Sequence, residues 1–399
     1  MHLSSRRHAD AFAALAPARA HLAARDEDVL RVQIAVAQVA APTGDEGERA
    51  AWVRDRFAAL GLAGVRIDDA GNVIGRRPGR RPDDPVVVCA HLDTVFPRGT
   101  LLTVRRDGRR FSGPGITDNG RGLAVMLALA ESIDGRGVPL DRPVEFVGTT
   151  GEEGNGDLRG VKRYFARLAD RPAGMIAIDG AGDERIIHRA LGSRRYRVTF
   201  SGPGGHSWAA FGAPNAIHAA AAATARLAAV PLSIMPRTTL SVGRIGGGIS
   251  VNAIPDHAWI ELDVRSAGPR MLDRLEAEVH RAVGAAAAEE NARRSENTAP
   301  LTATVTRIGD RPGGETAADH PLVAAAQAIT QLAGCDPELA IASTDANVPI
   351  GLGIPAIAIG GGGRGGGAHS AAEWFENVNG TRGVSRALAI VLAASHAAG

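Results

Sequence analysis

Apolar positions along this chain follow two rhythms, and the rhythm changes twice. Residues 7–40 carry apolar side chains at helical spacing, with a break predicted at Pro17. "GDEGERAAWVRDRFAALGL" (44–62) repeats that spacing and stops at Gly61. "VRIDDAGNVIGRRPG" (65–79) predicts a hairpin turning at Ala70–Gly71. Three short, nearly continuous apolar runs follow: "DDPVVVCAHLDTVF" (83–96), "RPVEFVGTT" (142–150) and "AGMIAID" (173–179). Runs of this kind suit strands covered on both faces. Helical patterns separate them, "GRGLAVMLALAESI" (120–133) and "LRGVKRYFARLA" (158–169). This alternation predicts an α/β domain with a mostly parallel sheet and helices on both faces.

From residue 194 the rhythm becomes two-residue. "RRYRVTFSG" (194–202), "TTLSVGRIGGG" (238–248), "SVNAIPDHAWIELDVRS" (250–266) and "LTATVTRIG" (301–309) read as strands with one exposed face. Helical patterns at 213–230 and 270–294 sit among them. The order β–α–β–β–α–β is that of a ferredoxin-like unit. After residue 309 the first rhythm returns, with a helix over 320–333, a buried strand "IPAIAIG" (354–360) and a last helix over 383–395. The prediction is one α/β domain, residues 1–193 and 310–399, interrupted by a ferredoxin-like α+β domain at 194–309.

Composition narrows the function classes. The 399 residues are 45% hydrophobic, enough for two cores, and only 4% aromatic, so Ala, Val, Leu and Ile must do the packing. A net charge of +2 gives no electrostatic case for nucleic acid as a partner. No apolar run approaches the roughly 18 residues of a membrane span. The Ala-rich start is interrupted by Asp10, Arg19 and His21, too early for a secretion signal. Two cysteines, Cys89 and Cys335, make a disulfide framework improbable and point to a reduced, cytoplasmic setting.

The chemistry lies where the buried strands end. The first runs into His91 and Asp93, the second into Glu152 and Glu153, and the third into Asp179. Asp118 stands just before a helix in "GPGITDNGRG", and His369 follows the Gly-rich run in "GGAHSAAEW". Each has an ordinary reading. A strand-end histidine is usually a satisfied polar group, paired glutamates a solvated loop, a pre-helical aspartate an N-cap, and a strand-end aspartate a turn former. Those readings do not explain so many coincidences in one domain. Open α/β sheets place their ligand sites beyond the carboxyl ends of the strands. Acids and two histidines gathered there without matching bases repel one another unless a multivalent cation intervenes. Mixed imidazole and carboxylate donors suit zinc, cobalt or manganese. No Ser elbow of the GxSxG type follows a strand, and "GGGGRGGG" (360–367) lacks the Lys–Ser/Thr ending of a phosphate loop.

Taken in order, "HLDTVFP", "GPGITDNGRG", "GEEGNGDLRG", "AIDG", "GPGGHSW" and "GGAHSAAEW" resemble the M20 family of metallopeptidases. That family includes carboxypeptidase G2, peptidase T, acetylornithine deacetylase, succinyl-diaminopimelate desuccinylase and aminoacylase. "HLDTVFP" and "STDANVPIGLGIPA" (343–356) resemble most the branch related to peptidase T. The resemblance implies two divalent metal ions, zinc first and cobalt or manganese as alternatives. The implied ligands are His91, Asp118, Glu153, Asp179 and His369, with Asp118 bridging. Asp93 is implied to steady His91 from behind, and Glu152 to be the general base. It further implies that His206, in the inserted domain, assists the reaction across a homodimer formed through residues 194–309. Asn252 and Arg265 would contact the substrate, a small peptide or an N-acyl amino acid. Two features depart from the commoner pattern. Asp179 stands where many relatives have glutamate, and Asn119 where many have aspartate. The Asp118–Asn119 bond is expected to be cis. A non-catalytic binding protein of this fold is the rival class, and it would lack the base or a ligand.

Overall fold

The computed structural model describes residues 9–10, 12–133, 140–168 and 171–397. Residues 7, 8 and 11 of the predicted first helix, and residue 169 of the predicted helix 158–169, lie outside that range. The chain divides into two compact units, Met1–Ala190 with Glu315–Gly399, and Leu191–Gly314.

In the larger unit the helices Ala16–Ala24, Asp26–Ala37 and Gly47–Ala59 precede the sheet. The predicted break falls at Leu15, a turn just before Pro17, which then sits in the first turn of Ala16–Ala24 where its missing N–H costs nothing, and a second interruption comes at Arg25. The sheet has four parallel neighbours at its centre, in the order Val144–Thr149, Val86–His91, Gly174–Ile178 and Ala356–Ile359. The hairpin Ala63–Ile67/Val73–Arg77 adds antiparallel strands on one side. On the other side Arg185–Ala190 runs antiparallel to Ala356–Ile359 and parallel to Glu338–Ala342. Every residue of Val86–His91 is buried, as the continuous run predicts. Full burial of each valine contributes about 1.5–3 kcal/mol, which offsets the cost of ending the strand on a buried histidine.

Helices Gly120–Ser132 and Arg382–His396 pack into a core with Leu123, Ile176, Ile178, Ile357 and Leu388. Helices Arg159–Arg167 and Asn347–Gly351 contribute to a second core with Val87, Val147, Met175 and Ala358. Alternate residues of the central strands thus face different helical layers. A separate sheet of three-residue strands, Arg364–Gly366, Trp374–Glu376, Arg110–Ser112 and Arg105–Asp107, joins the segments that follow and precede two of the predicted site residues.

The smaller unit is a four-stranded antiparallel sheet in the order Thr238–Gly247, His257–Ser266, Gly192–Ser201, Thr302–Arg311. Helices Ala216–Ala228 and Pro269–Ala292 pack against it. Tyr196, Val198, Phe200, Ile260, Leu262 and Val264 point into the core with them, while Arg195, Arg197, Glu261 and Asp263 form ion pairs outside that core. The sequence reads 250–266 as one strand. The structure keeps His257–Ser266 in the main sheet and diverts Ala253–Ile254 into a short pairing with Gly205–His206. No helix among the described residues is long and apolar enough to cross a membrane.

Candidate metal centre

His91, Asp118, Glu153, Asp179 and His369 converge beyond the carboxyl ends of the parallel strands, all within the larger unit. Asp118 stands at the middle. Its Oδ1 lies 2.9 Å from His91 Nε2, which is also 3.8 Å from Asp179 Oδ1. Its Oδ2 lies 3.1 Å from His369 Nε2, which is 2.9 Å from Glu153 Oε1. The carboxylate therefore turns one oxygen to each of two imidazole–carboxylate pairs. His91, Asp118 and Glu153 each offer a donor atom within 4.8 Å of the others.

The donors are aimed for a cation. His91 Nδ1 lies 3.0 Å from the backbone carbonyl of Asp93, which can only accept, so Nδ1 carries the hydrogen. Nε2 is left as the donor atom facing Asp118 and Asp179. Asp118 Oδ1 is buried and has no hydrogen-bond partner among the described residues. An acceptor orphaned beside an imidazole nitrogen fits a divalent metal ion between them, and the oxygen and nitrogen donor set suits zinc, cobalt or manganese.

Buried carboxylates hold the supporting backbone. Asp93, fully buried, accepts hydrogen bonds from the amides of Glu152 and Glu153, each at 2.9 Å, and from Thr43 Oγ1 at 2.8 Å. Burial works to raise its pKa, but the bonds from His91 and the two amides prevail and leave it at about 2. Asp93 thus ties His91 to the Glu152–Glu153 loop. That loop turns at Gly151, whose φ of +68° is a conformation that L side chains rarely adopt. Glu373 does the same for Asp118, accepting from the amides of Gly115, Thr117 and Asp118 at 2.7–2.9 Å. Sequence reasoning missed Glu373, since a lone acid beside a Gly-rich loop reads as solvated. Asn119 caps the helix Gly120–Ser132 by accepting from Gly122 N, and the Asp118–Asn119 bond is cis. Its amide also donates to Ile178 O at 2.9 Å and accepts from Gly180 N at 3.2 Å, gripping the backbone on both sides of Asp179.

The other predicted residues lie in the smaller unit. His206 is exposed in the short pairing, and its Nδ1 accepts from Trp208 N at 3.2 Å. Asn252 neighbours it through its carbonyl, which accepts from Ser207 N at 2.9 Å. Arg265 is near the opposite end of the strand His257–Ser266, with Nε 2.7 Å from Asp263 Oδ2, so the unit does not gather it with His206 and Asn252.

Without metal the centre stores protons. Burial, reinforced by Asp118, pushes Glu153 up to about 7. The bond to Asp118 takes His369 up to about 9. Burial opposes protonation of His91, but Asp118, Asp179 and Asp93 outweigh it and raise its pKa well above the usual value. Between about pH 4.5 and 9 the folded state therefore binds more protons than the unfolded chain, and stability falls as pH rises through that window. The loss from Glu153 spans about pH 4.5–7, and that from His369 about pH 6.5–9. Thermal melts of chelator-treated protein should show Tm decreasing from pH 6 to pH 9, with added zinc or manganese reversing the trend. A flat or rising Tm in the chelated protein would contradict this electrostatic reading.

A family model described as peptidase family M20/M25/M40 matches residues 87–393. YqjE of Bacillus subtilis is 27% identical over 350 residues, covering 83% of this chain and 89% of its own. A putative succinyl-diaminopimelate desuccinylase of Mycobacterium tuberculosis is 28% identical, covering 59% of this chain and 68% of its own. The crystal structure of aminopeptidase PepT from Bacillus cereus superposes with a TM-score of 0.73 at 24% identity, over 92% of this chain and 98% of that one. With the fold, the strand-end cluster and the family match in agreement, the chain belongs to peptidase family M20/M25/M40 and is a hydrolase acting on C–N bonds.

Proposed function

We propose that the protein is a two-metal exopeptidase that cleaves an amide bond in a di- or tripeptide. The observation that carries this reading is Asp118, whose two oxygens serve separate imidazole–carboxylate pairs, His91 with Asp179 and His369 with Glu153. Two divalent ions held by these five residues, zinc before cobalt or manganese, would supply Lewis acidity toward the scissile carbonyl and acidify the attacking water. Glu152 takes the proton from the water as its oxygen bonds to the carbonyl carbon, and returns that proton to the amine nitrogen as the C–N bond then breaks. Asp93 fixes the backbone of Glu152, which keeps the base in register with the His91 side of the centre. His206 donates to the oxyanion that develops on the carbonyl oxygen. It does so within a homodimer built through the smaller unit. Asn252 and Arg265 bind the polar end of the substrate from different copies of the chain, since they lie toward opposite ends of the strand His257–Ser266. Free, buried Cys89 and Cys335 suit a cytoplasmic protein.

The desuccinylase-named relative supports a second reading, an N-acyl amino acid deacylase with the same machinery. A mixed panel of dipeptides, tripeptides and N-acyl amino acids, followed by mass spectrometry with zinc, cobalt or manganese added, separates the two. Cleavage of peptides with a free amino terminus is the expected result. Cleavage confined to N-acyl amino acids would establish the second reading, and no cleavage of any member would overturn both.

A further inference from the structure

Arg49, on the helix Gly47–Ala59, is wholly buried, yet the mechanism does not use it. Its Nη1 donates to the carbonyl of Leu92 at 2.7 Å, and its Nε and Nη2 donate to the carbonyl of Val39 at 3.0 and 2.7 Å. Leu92 is the residue between His91 and Asp93. The guanidinium therefore grips the backbone at the point where the strand turns into the cluster. Its fork spans two carbonyls at once, which a lysine ammonium on a flexible stem cannot reproduce.

The charge has a second use. Burial alone makes the cation unfavourable, and the carboxylates that counter this are Asp93 and Glu373. These are the two acids whose oxygens are committed to backbone amides, Asp93 to Glu152 and Glu153, and Glu373 to Gly115, Thr117 and Asp118. Both lie behind a centre that is already acidic. A buried charge left without its opposite is strongly destabilising. We propose that Arg49 is a positioning residue of the metal centre. It fixes the Leu92 carbonyl, and so the spacing of His91 and Asp93. This rests on reading the cluster as a metal centre.

The test compares wild type with Arg49→Lys, Arg49→Met and Arg386→Met. Arg386 is an equally buried arginine that bonds Thr330 and the carbonyl of Arg185. Zinc affinity is measured by competition with a chelator, the cobalt absorption spectrum reports ligand geometry, and Tm reports folding. Groups that orient metal ligands from behind are worth about 10–100-fold in affinity. Arg49→Met should lose that much and shift the cobalt spectrum. Arg49→Lys, which keeps the charge and loses the fork, should fall between it and wild type. Arg386→Met should lower Tm and leave zinc affinity unchanged. If Arg49→Met proves unfolded, Arg49→Lys decides. Wild-type zinc affinity and cobalt spectrum in a folded Arg49 variant would overturn the proposal, as would an equal loss of affinity in Arg386→Met. Failure of the wild-type protein to bind zinc would overturn the metal-centre reading itself, a separate result.

Discussion

Glu152→Gln should bind two metal ions as wild type does and hydrolyse its best substrate about a thousandfold more slowly. The substitution keeps the side chain's shape and removes only its capacity to take a proton. General bases of this type contribute about 10²–10⁴-fold. The backbone amide of residue 152 would still donate to Asp93, so the loop carrying Glu153 stays in place. The measurement pairs single-turnover hydrolysis with metal content by mass spectrometry. Undiminished hydrolysis would remove Glu152 from the mechanism. Loss of metal together with activity would mean that the roles of Glu152 and Glu153 are exchanged.

Asp118→Ala should release both metal ions, whereas Glu153→Ala should weaken the one beside His369 and largely spare the one beside His91. The difference follows from geometry. Asp118 faces both imidazoles, at 2.9 and 3.1 Å, while Glu153 lies 2.9 Å from His369 and reaches His91 only within the wider 4.8 Å spread of donor atoms. Removing the shared carboxylate also leaves two histidines facing each other across the site without the charge between them. Equilibrium dialysis followed by metal analysis checks this. A full equivalent of zinc retained by Asp118→Ala would show that the two positions do not share that residue.

The rhythm of the sequence made much of the fold legible. Continuous apolar runs give the parallel strands, and two-residue alternation gives the inserted sheet, because one set is covered on both faces and the other on one. The strand-end donors were legible for a related reason, since a charged or imidazole side chain at the end of such a run stands out. Other elements left no such trace. Arg185–Ala190 carries Arg185, His188 and Arg189 among its six residues, which breaks up its apolar run, and it is a strand through pairing with residues more than a hundred positions away. Strands of three residues, such as Trp374–Glu376, are too short to show a period. Glu373 and Arg49 are single charges in unremarkable surroundings, and only the folded chain reveals which amides and carbonyls they meet. Asn119 was visible as a departure, but not its purpose. Its amide both donates to Ile178 and accepts from Gly180, and an ionised aspartate could not make the first of those bonds.

The Glu373 carboxylate also bears on the order in which the molecule can be made. It reaches back 258 positions to Gly115, and His369 reaches back 251 to Asp118. Chains emerge from the ribosome amino end first, and contacts of such long range are the slowest to form. The smaller unit and the strand carrying His91 are synthesised well before the segment that completes the Asp118 loop. Until residue 373 has docked, the acids at the strand ends lack their last imidazole and the loop lacks its brace. On the two-metal reading a full complement of metal would therefore be a signature of a finished molecule, and truncation or misfolding near the carboxyl end would be felt at residues made hundreds of codons earlier.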